Sequence, residues 1–322
     1  MKTHDRSTPH NNDLRIVRIG TRSSPLALWQ AEFIRDQLIQ EHPDLRVDLI
    51  RISTAGDRDR NSPLAEVGGQ GLFTKEIQRA LLDHEVDIAV HSLKDLPTAQ
   101  PEGLTLGAIP AREQVADALI SPKYKSINQL PLGAKVGTSS LRRKAQLLNL
   151  RPDLIVVPIR GNVETRLHKA IDGQMDAVVL ACAGLNRLGF DQKITEVLAP
   201  PVFLPAVGQG ALGLECRSTD MEICQILKPL NHLQTMASVI AERHLLRLLE
   251  GGCMIPLSAW GREAQDGHLT LAGRVFSIDG QTMIEAESMG QWDAPEALGQ
   301  NLAELLLKQG AAEILRTSPT GG

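Results

Sequence analysis

The sequence predicts an α/β protein in which two similar α/β domains face each other across a cleft and a smaller α+β domain follows. Apolar strand-like runs alternate with amphipathic helical runs up to about residue 207, and one strand-to-helix junction occurs twice. A chain of 322 residues has room for two or three such domains. Alternating strands and helices favour mostly parallel sheets, whose ligands bind beyond the carboxyl ends of the strands.

The first predicted domain comprises residues 14–112 and 208–230, after a polar segment at residues 1–13 that we expect to be a disordered tail. A strand at residues 14–19 leads into a helix that begins at Pro25 and stops before Pro43, because proline suits the first turn of a helix but not its interior. Residues 54–71 are rich in glycine and charge, which predicts a mobile loop. The other predicted elements are a helix at residues 72–84 and strands at residues 46–53, 86–90 and 104–109.

The second predicted domain comprises residues 113–207 and repeats the junction of the first. Residues 136–140 (Val-Gly-Thr-Ser-Ser) echo residues 19–24 (Ile-Gly-Thr-Arg-Ser-Ser), each a strand end that feeds a hydroxyl-rich helix start. Two similar domains around a cleft are the simplest account of this repeat. The predicted elements are strands at residues 134–136, 154–159 and 175–181 and helices that begin at Leu141, Asn162 and Gly184.

The third predicted domain comprises residues 231–322 and has an α+β pattern. A helix at residues 233–249 breaks at residues 250–256, which contain two glycines and a proline. Strands at residues 269–277 and 282–288 and a helix at residues 295–309 follow. Residues 206–215 are expected to return the chain from the second domain to the first.

The composition argues against several classes of function. A net charge of −4 and only 3% aromatic residues do not suit a nucleic-acid-binding protein, which needs positive surface and stacking side chains. No apolar stretch approaches the roughly 18 residues that span a bilayer, and residues 1–13 lack the apolar segment of a secretory signal. The four cysteines show no metal-ligand or redox spacing, so we expect a reduced cytoplasmic protein without a bound metal. Nothing in the sequence demands more than a monomer.

A cluster of arginines marks a predicted anion site in this acidic protein. Thr138 or Ser139 is expected to cap the helix from Leu141, and Asn162 the next helix, which places arginines in first helical turns that already carry partial positive charge. Backbone N–H groups, hydroxyls and guanidinium groups together bind carboxylates or phosphates. The alternative is ion pairing with nearby acidic residues on a solvated face, and for the whole cluster we favour the anion site. Its arginines are Arg142, Arg143, Arg151, Arg160 and Arg166.

Lys94 and Asp95 follow a predicted buried strand and are candidates for chemistry. An aspartate there can be the single negative charge in a cationic cleft, where it stabilises a developing cation or transfers a proton. A surface ion pair before the turn at Pro97 is equally compatible with the sequence. His91, at the end of the same strand, is interpreted as a hydrogen-bonded structural histidine.

Cys253 lies between a glycine pair and a proline turn, where a bent backbone can expose its side chain. This setting favours a reactive thiol, whereas Cys182, Cys216 and Cys224 are interpreted as small buried apolar residues. Residues 68–71 (Gly-Gly-Gln-Gly) lack the Lys-Ser/Thr of a phosphate-binding loop, so a mobile lid is the preferred interpretation.

Six motifs occur in a fixed order between about residues 14 and 315. They are residues 20–27 (Gly-Thr-Arg-Ser-Ser-Pro-Leu-Ala), 89–97 (Ala-Val-His-Ser-Leu-Lys-Asp-Leu-Pro), 136–143 (Val-Gly-Thr-Ser-Ser-Leu-Arg-Arg), 160–162 (Arg-Gly-Asn), 204–210 (Leu-Pro-Ala-Val-Gly-Gln-Gly) and 249–253 (Leu-Glu-Gly-Gly-Cys). In their sequence and order, these motifs resemble those of the hydroxymethylbilane synthase family, also called the porphobilinogen deaminase family.

The resemblance implies an enzyme with two periplasmic-binding-protein-like α/β domains around a cleft and a smaller α+β domain. Such an enzyme joins four porphobilinogen molecules head to tail with loss of ammonia, and then releases the linear tetrapyrrole hydroxymethylbilane by hydrolysis. The resemblance also implies a dipyrromethane cofactor bound through a thioether to Cys253, with Asp95 as the catalytic carboxylate. The implied cofactor-binding residues are Lys94, Ser139, Arg142, Arg143 and Ser24, and the implied substrate-binding residues are Arg22, Arg160, Arg166 and Arg187.

The chemistry of such a substrate suits the arginines. Each pyrrole unit carries an acetate and a propionate, so a growing chain accumulates carboxylates, and each hydrogen bond to a charged group contributes roughly 1.5–3 kcal/mol. Loss of ammonia leaves an electron-poor cation that one nearby carboxylate can balance.

Family members often carry lysine where this chain has Gln70, so no substrate contact is assigned to that loop. A non-enzymatic solute-binding protein also has two lobes around an anion cleft, but the polar N-terminus and the glycine-flanked Cys253 count against it. A different cysteine-dependent transferase would have no obvious use for the pairing of Lys94 with Asp95.

Overall fold

The computed structural model describes residues 15–58, 74–249 and 255–316. The tail predicted at residues 1–13, the glycine-rich motif at residues 68–71 and Cys253 lie outside these ranges. The strands are β1 (Arg15–Thr21), β2 (Leu45–Arg51), β3 (Ile88–Ser92), β4 (Leu104–Ala108), β5 (Asp117–Ile120), β6 (Lys135–Gly137), β7 (Ile155–Val157), β8 (Ala177–Ala181), β9 (Glu196–Leu198), β10 (Leu212–Arg217), β11 (Leu257–Glu263), β12 (Leu269–Phe276) and β13 (Met283–Gly290). The α-helices are α1 (Pro25–Glu41), α2 (Ala55–Arg58), α3 (Lys75–Leu82), α4 (Leu141–Leu150), α5 (Val163–Ile171), α6 (Cys182–Arg187), α7 (Met221–Leu227), α8 (Leu233–Leu248), α9 (Pro295–Lys308) and α10 (Ala311–Arg316).

Two five-stranded sheets with equivalent strand order form the first two lobes. Lobe 1 has the order β2-β1-β3-β10-β4 and lobe 2 the order β7-β6-β8-β5-β9. In each sheet the fourth strand runs antiparallel to both of its neighbours, whereas the first three strands are parallel. The repeat that the sequence predicts is therefore a repeat of the whole sheet topology.

The antiparallel fourth strand of each sheet is the strand that follows a crossing of the chain from the other lobe. β5 is the first strand of lobe 2 after the chain leaves lobe 1, and β10 brings the chain back into the sheet of lobe 1. Two crossing segments therefore join the lobes, one before β5 and one before β10. The predicted return of the chain in residues 206–215 is confirmed by the place of β10.

Lobe 3 is an antiparallel sheet of order β11-β12-β13 covered by α8 and α9. Its core joins leucines of α8, α9 and β12, among them Leu245, Leu271 and Leu302, all fully buried. Its β12–β13 turn touches lobe 2, where Asn149 of α4 donates its Nδ2 to the carbonyl oxygen of Gly280 at 2.9 Å. Gly280 has φ of +72°, and a Cβ there would lie 2.4 Å from the carbonyl oxygen of Ala145, so the contact requires glycine.

The predicted fold class is confirmed: two similar α/β lobes surround a cleft, and a smaller α+β lobe follows. The helices beginning at Pro25, Leu141, Leu233 and Pro295 start as predicted. The helix predicted from Gly184 begins instead at Cys182, directly at the end of β8. The sequence analysis did not find β5, β9 or β11. The domain boundaries themselves remain a prediction.

Candidate functional site

A small cavity of about 80 Å³ lies between lobes 1 and 2, and both lobes and the second crossing segment line it. Lobe 1 contributes Leu26 and Gln30 from α1 together with Ser92 and Lys94. Lobe 2 contributes Arg143, Val163, Arg166 and Arg187 among others, and the crossing segment contributes Gly210 and Ala211. The cleft that the sequence predicts at the carboxyl ends of the strands is thus lined by four cationic side chains.

The Lys94–Asp95 pair is presented by a short 3₁₀ turn, Leu93–Asp95, which follows β3 directly. Desolvation in the cleft, reinforced by the positive charge of Arg143, lowers the pKa of Lys94 from its usual value to about 8. Asp95 is exposed, and its negative charge acts on both Lys94 and Arg166, favouring their charged forms. Lobe 1 therefore places one exposed carboxylate beside a lysine that can change its charge near neutral pH.

The start of α4 holds two buried arginines, as the sequence predicts. The capping residue is Ser140, whose Oγ accepts a hydrogen bond from the backbone N–H of Arg143 at 3.4 Å; the predicted caps Thr138 and Ser139 are wrong. Ser139 instead joins β6 to the end of β7, since its Oγ donates to the carbonyl of Ile159 at 2.6 Å and accepts from its N–H at 3.0 Å. In the sequence, Ser139 lies between strand β6 and the two arginines of α4.

Asp117, at the start of β5, is a buried partner that the sequence analysis missed. Arg143 donates Nε and Nη2 to its Oδ1 at 3.0 and 2.7 Å, and Nη1 of Arg142 lies 2.7 Å from its Oδ2. Burial alone would raise the pKa of Asp117, but the two guanidinium groups outweigh burial and hold it well below its usual range. Asp117 is thus a negative charge beside the arginines in addition to Asp95, and for Arg142 and Arg143 the alternative of ion pairs on a solvated face is wrong, because their pairs are buried. Two cations around one carboxylate still leave a net positive charge.

Arg160 and Arg166 extend the positive region beyond α4. Asn162 caps α5 as predicted, since its Oδ1 accepts from the backbone N–H of Thr165 at 2.8 Å. Within the part of the chain that the structure describes, Nη2 of Arg160, Nε of Arg166 and Nε of Arg142 are buried atoms without a hydrogen-bond partner. Burial, together with the nearby charge of Arg143, lowers the pKa of Arg166. Buried donors without partners are costly, so this region is suited to an anion.

Arg151 does not belong to this region. It lies at the other end of α4 and pairs with Asp153 at 2.7 Å, and it also donates to the carbonyls of Ile127 and Leu130 at 2.8 and 3.0 Å. A cation at a helix C-terminus is favourable without any ligand. Inclusion of Arg151 in the predicted anion cluster was therefore wrong.

Arg187 bridges the two lobes across the cleft. It ends α6 of lobe 2, donates Nη2 to the carbonyl of Gly210 at 2.7 Å, and lies 5.8 Å from the centre of the Trp29 ring of α1. Burial lowers its pKa. A guanidinium group in this position contacts lobe 1, lobe 2 and a crossing segment together.

Arg22 and Ser24 lie beyond the carboxyl end of β1, at the same edge of the sheet as the Lys94 turn. Ser24 caps α1, accepting from the backbone N–H of Ala27 at 3.4 Å, and Arg22 is half-buried between the strand and this cap. Of the predicted residues, Lys94, Arg143, Arg166 and Arg187 line the cavity, and Cys253 lies outside the described residues. The cavity lining does not include Arg22, Ser24, Asp95, Ser139, Arg142 or Arg160.

His91, Cys182 and Cys216 are buried, as their structural interpretation requires, whereas Cys224 is half-buried, so its interpretation as a buried residue was wrong. Nε2 of His91 lies 3.1 Å from Oε2 of Glu215 on β10, which also accepts from Gln78, and all three residues are buried. Burial raises the pKa of the Cys182 and Cys216 thiols to about 12, which keeps them protonated and unreactive.

The sequence contained one signal that could have revealed Asp117. It is a single carboxylate inside the otherwise apolar run 116–120, and a buried charge of this kind requires a paired cation. No local signal indicated Gln30, whose Nε2 donates to Oγ of Ser92 at 2.8 Å beside the cavity.

Together the fold and the site define a two-lobed protein with a cationic cavity between the lobes that is suited to an anion. Within residues 15–58, 74–249 and 255–316, no helix has the length and apolarity to cross a membrane. In the same part of the chain, no group of three or more His, Cys, Asp or Glu side chains is arranged to hold a metal ion.

Comparison with known proteins identifies the class further. The family described as "Porphobilinogen deaminase, dipyromethane cofactor binding domain" matches residues 17–225, and the "Porphobilinogen deaminase, C-terminal domain" matches residues 236–308. The porphobilinogen deaminase of Desulforudis audaxviator is 52% identical over 303 residues, covering 94% of this chain and 97% of the relative. That of Syntrophotalea carbinolica is 51% identical over 299 residues, covering 93% of this chain and 95% of the relative. The chain belongs to the porphobilinogen deaminase family.

Proposed function

We propose that the chain is a hydroxymethylbilane synthase, which joins four porphobilinogen molecules head to tail with loss of ammonia and releases the linear tetrapyrrole by hydrolysis. The observation that carries the proposal is a cleft of buried arginines with one exposed carboxylate, in a chain whose residues 17–225 match a dipyrromethane-binding domain. A pyrrole chain rich in carboxylates is the kind of molecule that such a cleft complements.

The residues present fit a dipyrromethane cofactor. Nε of Arg142, Nη2 of Arg160 and Nε of Arg166 are buried donors without partners among the described residues. The acetate and propionate groups of the cofactor and of the incoming substrate together offer the acceptors that these atoms lack. When bound, the cofactor supplies the terminal pyrrole carbon to which the first substrate molecule is joined.

Each predicted residue has a proposed role in holding carboxylates. Lys94, Ser139, Arg142, Arg143 and Ser24 hold the cofactor, and Cys253 bonds it through a thioether. Arg143 already uses all three of its guanidinium nitrogens on Asp117 and the carbonyl of Val179, so its contribution is chiefly its charge. The residues proposed to hold the acidic groups of incoming substrate are Arg22, Arg160, Arg166 and Arg187.

Asp95 is the proposed catalytic residue. Departure of ammonia leaves positive charge on the substrate pyrrole, and a carboxylate at the edge of the cleft stabilises that charge. The same carboxylate can accept a proton as the new bond forms and aromaticity returns. Asp117 does not suit this role, because it is buried and its ion pairs with Arg142 and Arg143 hold it ionised.

We further propose that the protein acts as a monomer in the cytoplasm on its small-molecule substrate, without a nucleic-acid partner. The net charge of −4 supports the last point.

The test is the mass of the intact chain, purified from a host that makes porphobilinogen. We expect a mass greater than that of the polypeptide by two pyrrole units, and the plain polypeptide mass for Cys253→Ser. Cys224→Ser is the matched control, because Cys224 is a half-buried thiol on α7 of lobe 1, and it should keep the added mass. An unmodified wild-type mass, together with no consumption of porphobilinogen, would refute the proposal.

A further inference from the structure

The turn that carries Lys94 and Asp95 is held from behind by lobe 3. Leu93 and Leu96 flank the two polar residues and are 1% and 4% exposed, and both pack in one cluster with Val239 of α8. The leucines thus face α8, and Lys94 lines the cavity on the other side. Because the two flanking leucines are buried, they fix the direction in which the side chains of Lys94 and Asp95 project.

Arg243 of α8 completes this support with two hydrogen bonds. Its Nη1 donates to the carbonyl oxygen of Leu96 at 2.9 Å and its Nη2 to that of Pro97 at 2.6 Å. Arg243 is four residues beyond Val239, so both project from the same face of α8. Arg243 is only 9% exposed, and its planar guanidinium group spans two successive carbonyls, which a lysine cannot do.

Other contacts hold the start of the turn. Gln30 donates to Oγ of Ser92 at 2.8 Å, and the N–H of Leu93 donates to the carbonyl of Ala211 at 3.0 Å. Within the described residues, the side-chain hydrogen bonds to the carbonyls at the end of the turn come from Arg243. This end immediately follows Asp95.

We infer that Arg243 is a positioning residue: through the carbonyls of Leu96 and Pro97 it sets the place of Asp95 and Lys94 in the cleft. The inference rests on the proposed function, since it concerns the same reaction. It also assigns α8 a second task, because the segment that carries Cys253 follows α8 directly in the sequence. One helix therefore supports the catalytic turn and leads to the tether.

The consequence is a loss of rate rather than of binding. Arg243 lies behind the turn, so its removal leaves the carboxylate-binding arginines unchanged while the turn shifts. Misplacement of a catalytic group by about 1 Å can lower the rate on the order of 100-fold. We expect Arg243→Met to lower kcat by about 10- to 100-fold with KM changed less than about threefold.

The experiment compares Arg243→Met and Arg243→Lys with Arg274→Met. Arg274 of β12 is the matched control, an arginine of lobe 3 that also donates to a carbonyl of another lobe, that of Val202 at 3.0 Å. Steady-state kinetics with porphobilinogen are normalised to the fraction of chain carrying the added cofactor mass. Amide hydrogen exchange of peptides that cover residues 92–98 is measured on the same samples.

The expected result is a lower kcat and faster exchange in the turn for Arg243→Met, an intermediate effect for Arg243→Lys, and wild-type behaviour for Arg274→Met. A kcat of Arg243→Met within twofold of wild type, or an equal loss in Arg274→Met, would overturn the inference. If Arg243→Met does not fold, Arg243→Lys decides: wild-type kcat and wild-type exchange refute the role. If the wild-type protein consumes no porphobilinogen, the proposed function fails. Hydrogen exchange still tests the support of the turn in that case: wild-type exchange of residues 92–98 in Arg243→Met would show that Arg243 does not hold the turn.

Discussion

Glu242 and Arg112 form a buried ion pair at the point where the two crossing segments meet lobe 3. Both guanidinium Nη atoms of Arg112 donate to the carboxylate, at 2.7 and 3.1 Å, and the side chains are 0% and 9% exposed. The same carboxylate accepts from the backbone N–H of Gly208 at 2.7 Å and of Gly261 at 2.9 Å. Arg112 precedes β5 and Gly208 precedes β10, so one side chain of α8 ties together both crossing segments and lobe 3.

This pair should dominate the stability of the junction. Glu242→Gln leaves the guanidinium group of Arg112 buried without a countercharge, which typically costs about 3–5 kcal/mol. We expect a clear fall in the midpoint of urea unfolding. The midpoint is the proper measure, because a protein of three lobes need not unfold in two states.

The control for this prediction is Glu287→Gln. Glu287 pairs with Arg262 at 2.8 Å on the surface of lobe 3, and its side chain is 51% exposed, so its loss should cost under about 1 kcal/mol. Equal shifts of the urea midpoint for the two variants would mean that the buried pair contributes no more to stability than the exposed pair.

Much of the fold could be predicted because its signals are local. Pro25, the hydroxyl cap before Leu141 and the cap Asn162 mark helix starts within a few residues of sequence. β5 and β9 were missed because they have four and three residues and gain their stability from pairing in the sheet, β5 with β8 and β9 with β5. Periodicity cannot show that pairing.

The residues of the site likewise fall into two groups: those that local sequence signals predicted and those that only the tertiary packing reveals. The arginines of α4 stood out because cations at a helix start are unfavourable alone. Their partner Asp117 lies 26 residues from Arg143 in the sequence and meets it only through the place of β5 in lobe 2. The supporting contacts of Arg243, 147 and 146 residues from the turn, depend on the packing of lobe 3 and left no trace in the local sequence.

Asp95→Asn should separate catalysis from cofactor binding. The amide keeps the shape of the side chain but loses the charge that stabilises the substrate cation and the ability to accept a proton. We expect the added cofactor mass to remain and kcat to fall by about 10²- to 10⁴-fold. The measurement is turnover of porphobilinogen per loaded chain.

Asp83→Asn serves as the control for Asp95→Asn. Asp83 is an exposed aspartate that follows α3, and its neutralisation should leave kcat at the wild-type value. A rate for Asp95→Asn close to that of Asp83→Asn would remove Asp95 from its proposed role.

Arg142→Ala should slow loading of the cofactor. The variant removes the buried Nε atom that has no partner among the described residues, while Asp117 keeps both of its bonds to Arg143. One hydrogen bond to a charged group contributes about 1.5–3 kcal/mol, so the affinity for the anionic cofactor should fall about 10- to 100-fold. Intact mass during incubation of the apo-protein with porphobilinogen measures this.

The control is Arg151→Lys, at the other end of α4, which should load at the wild-type rate. If Arg142→Ala loads as fast as Arg151→Lys, Arg142 is a structural partner of Asp117 and does not bind the cofactor.

The charge of Lys94, which we propose holds the cofactor, should set an alkaline limit to kcat/KM. Its pKa is lowered to about 8 by desolvation and by Arg143 and Arg142, while Asp95 and Asp117 oppose this shift. The ammonium group is therefore charged below about pH 8 and neutral above it, and only the charged form attracts carboxylates. We expect kcat/KM, which reports groups of the free enzyme, to decline as the pH rises through about 8. Lys94→Arg keeps its charge well above this pH because guanidinium groups titrate beyond about pH 12, so the decline in kcat/KM should move to higher pH. A decline at the same pH in Lys94→Arg would mean that another group causes the decline.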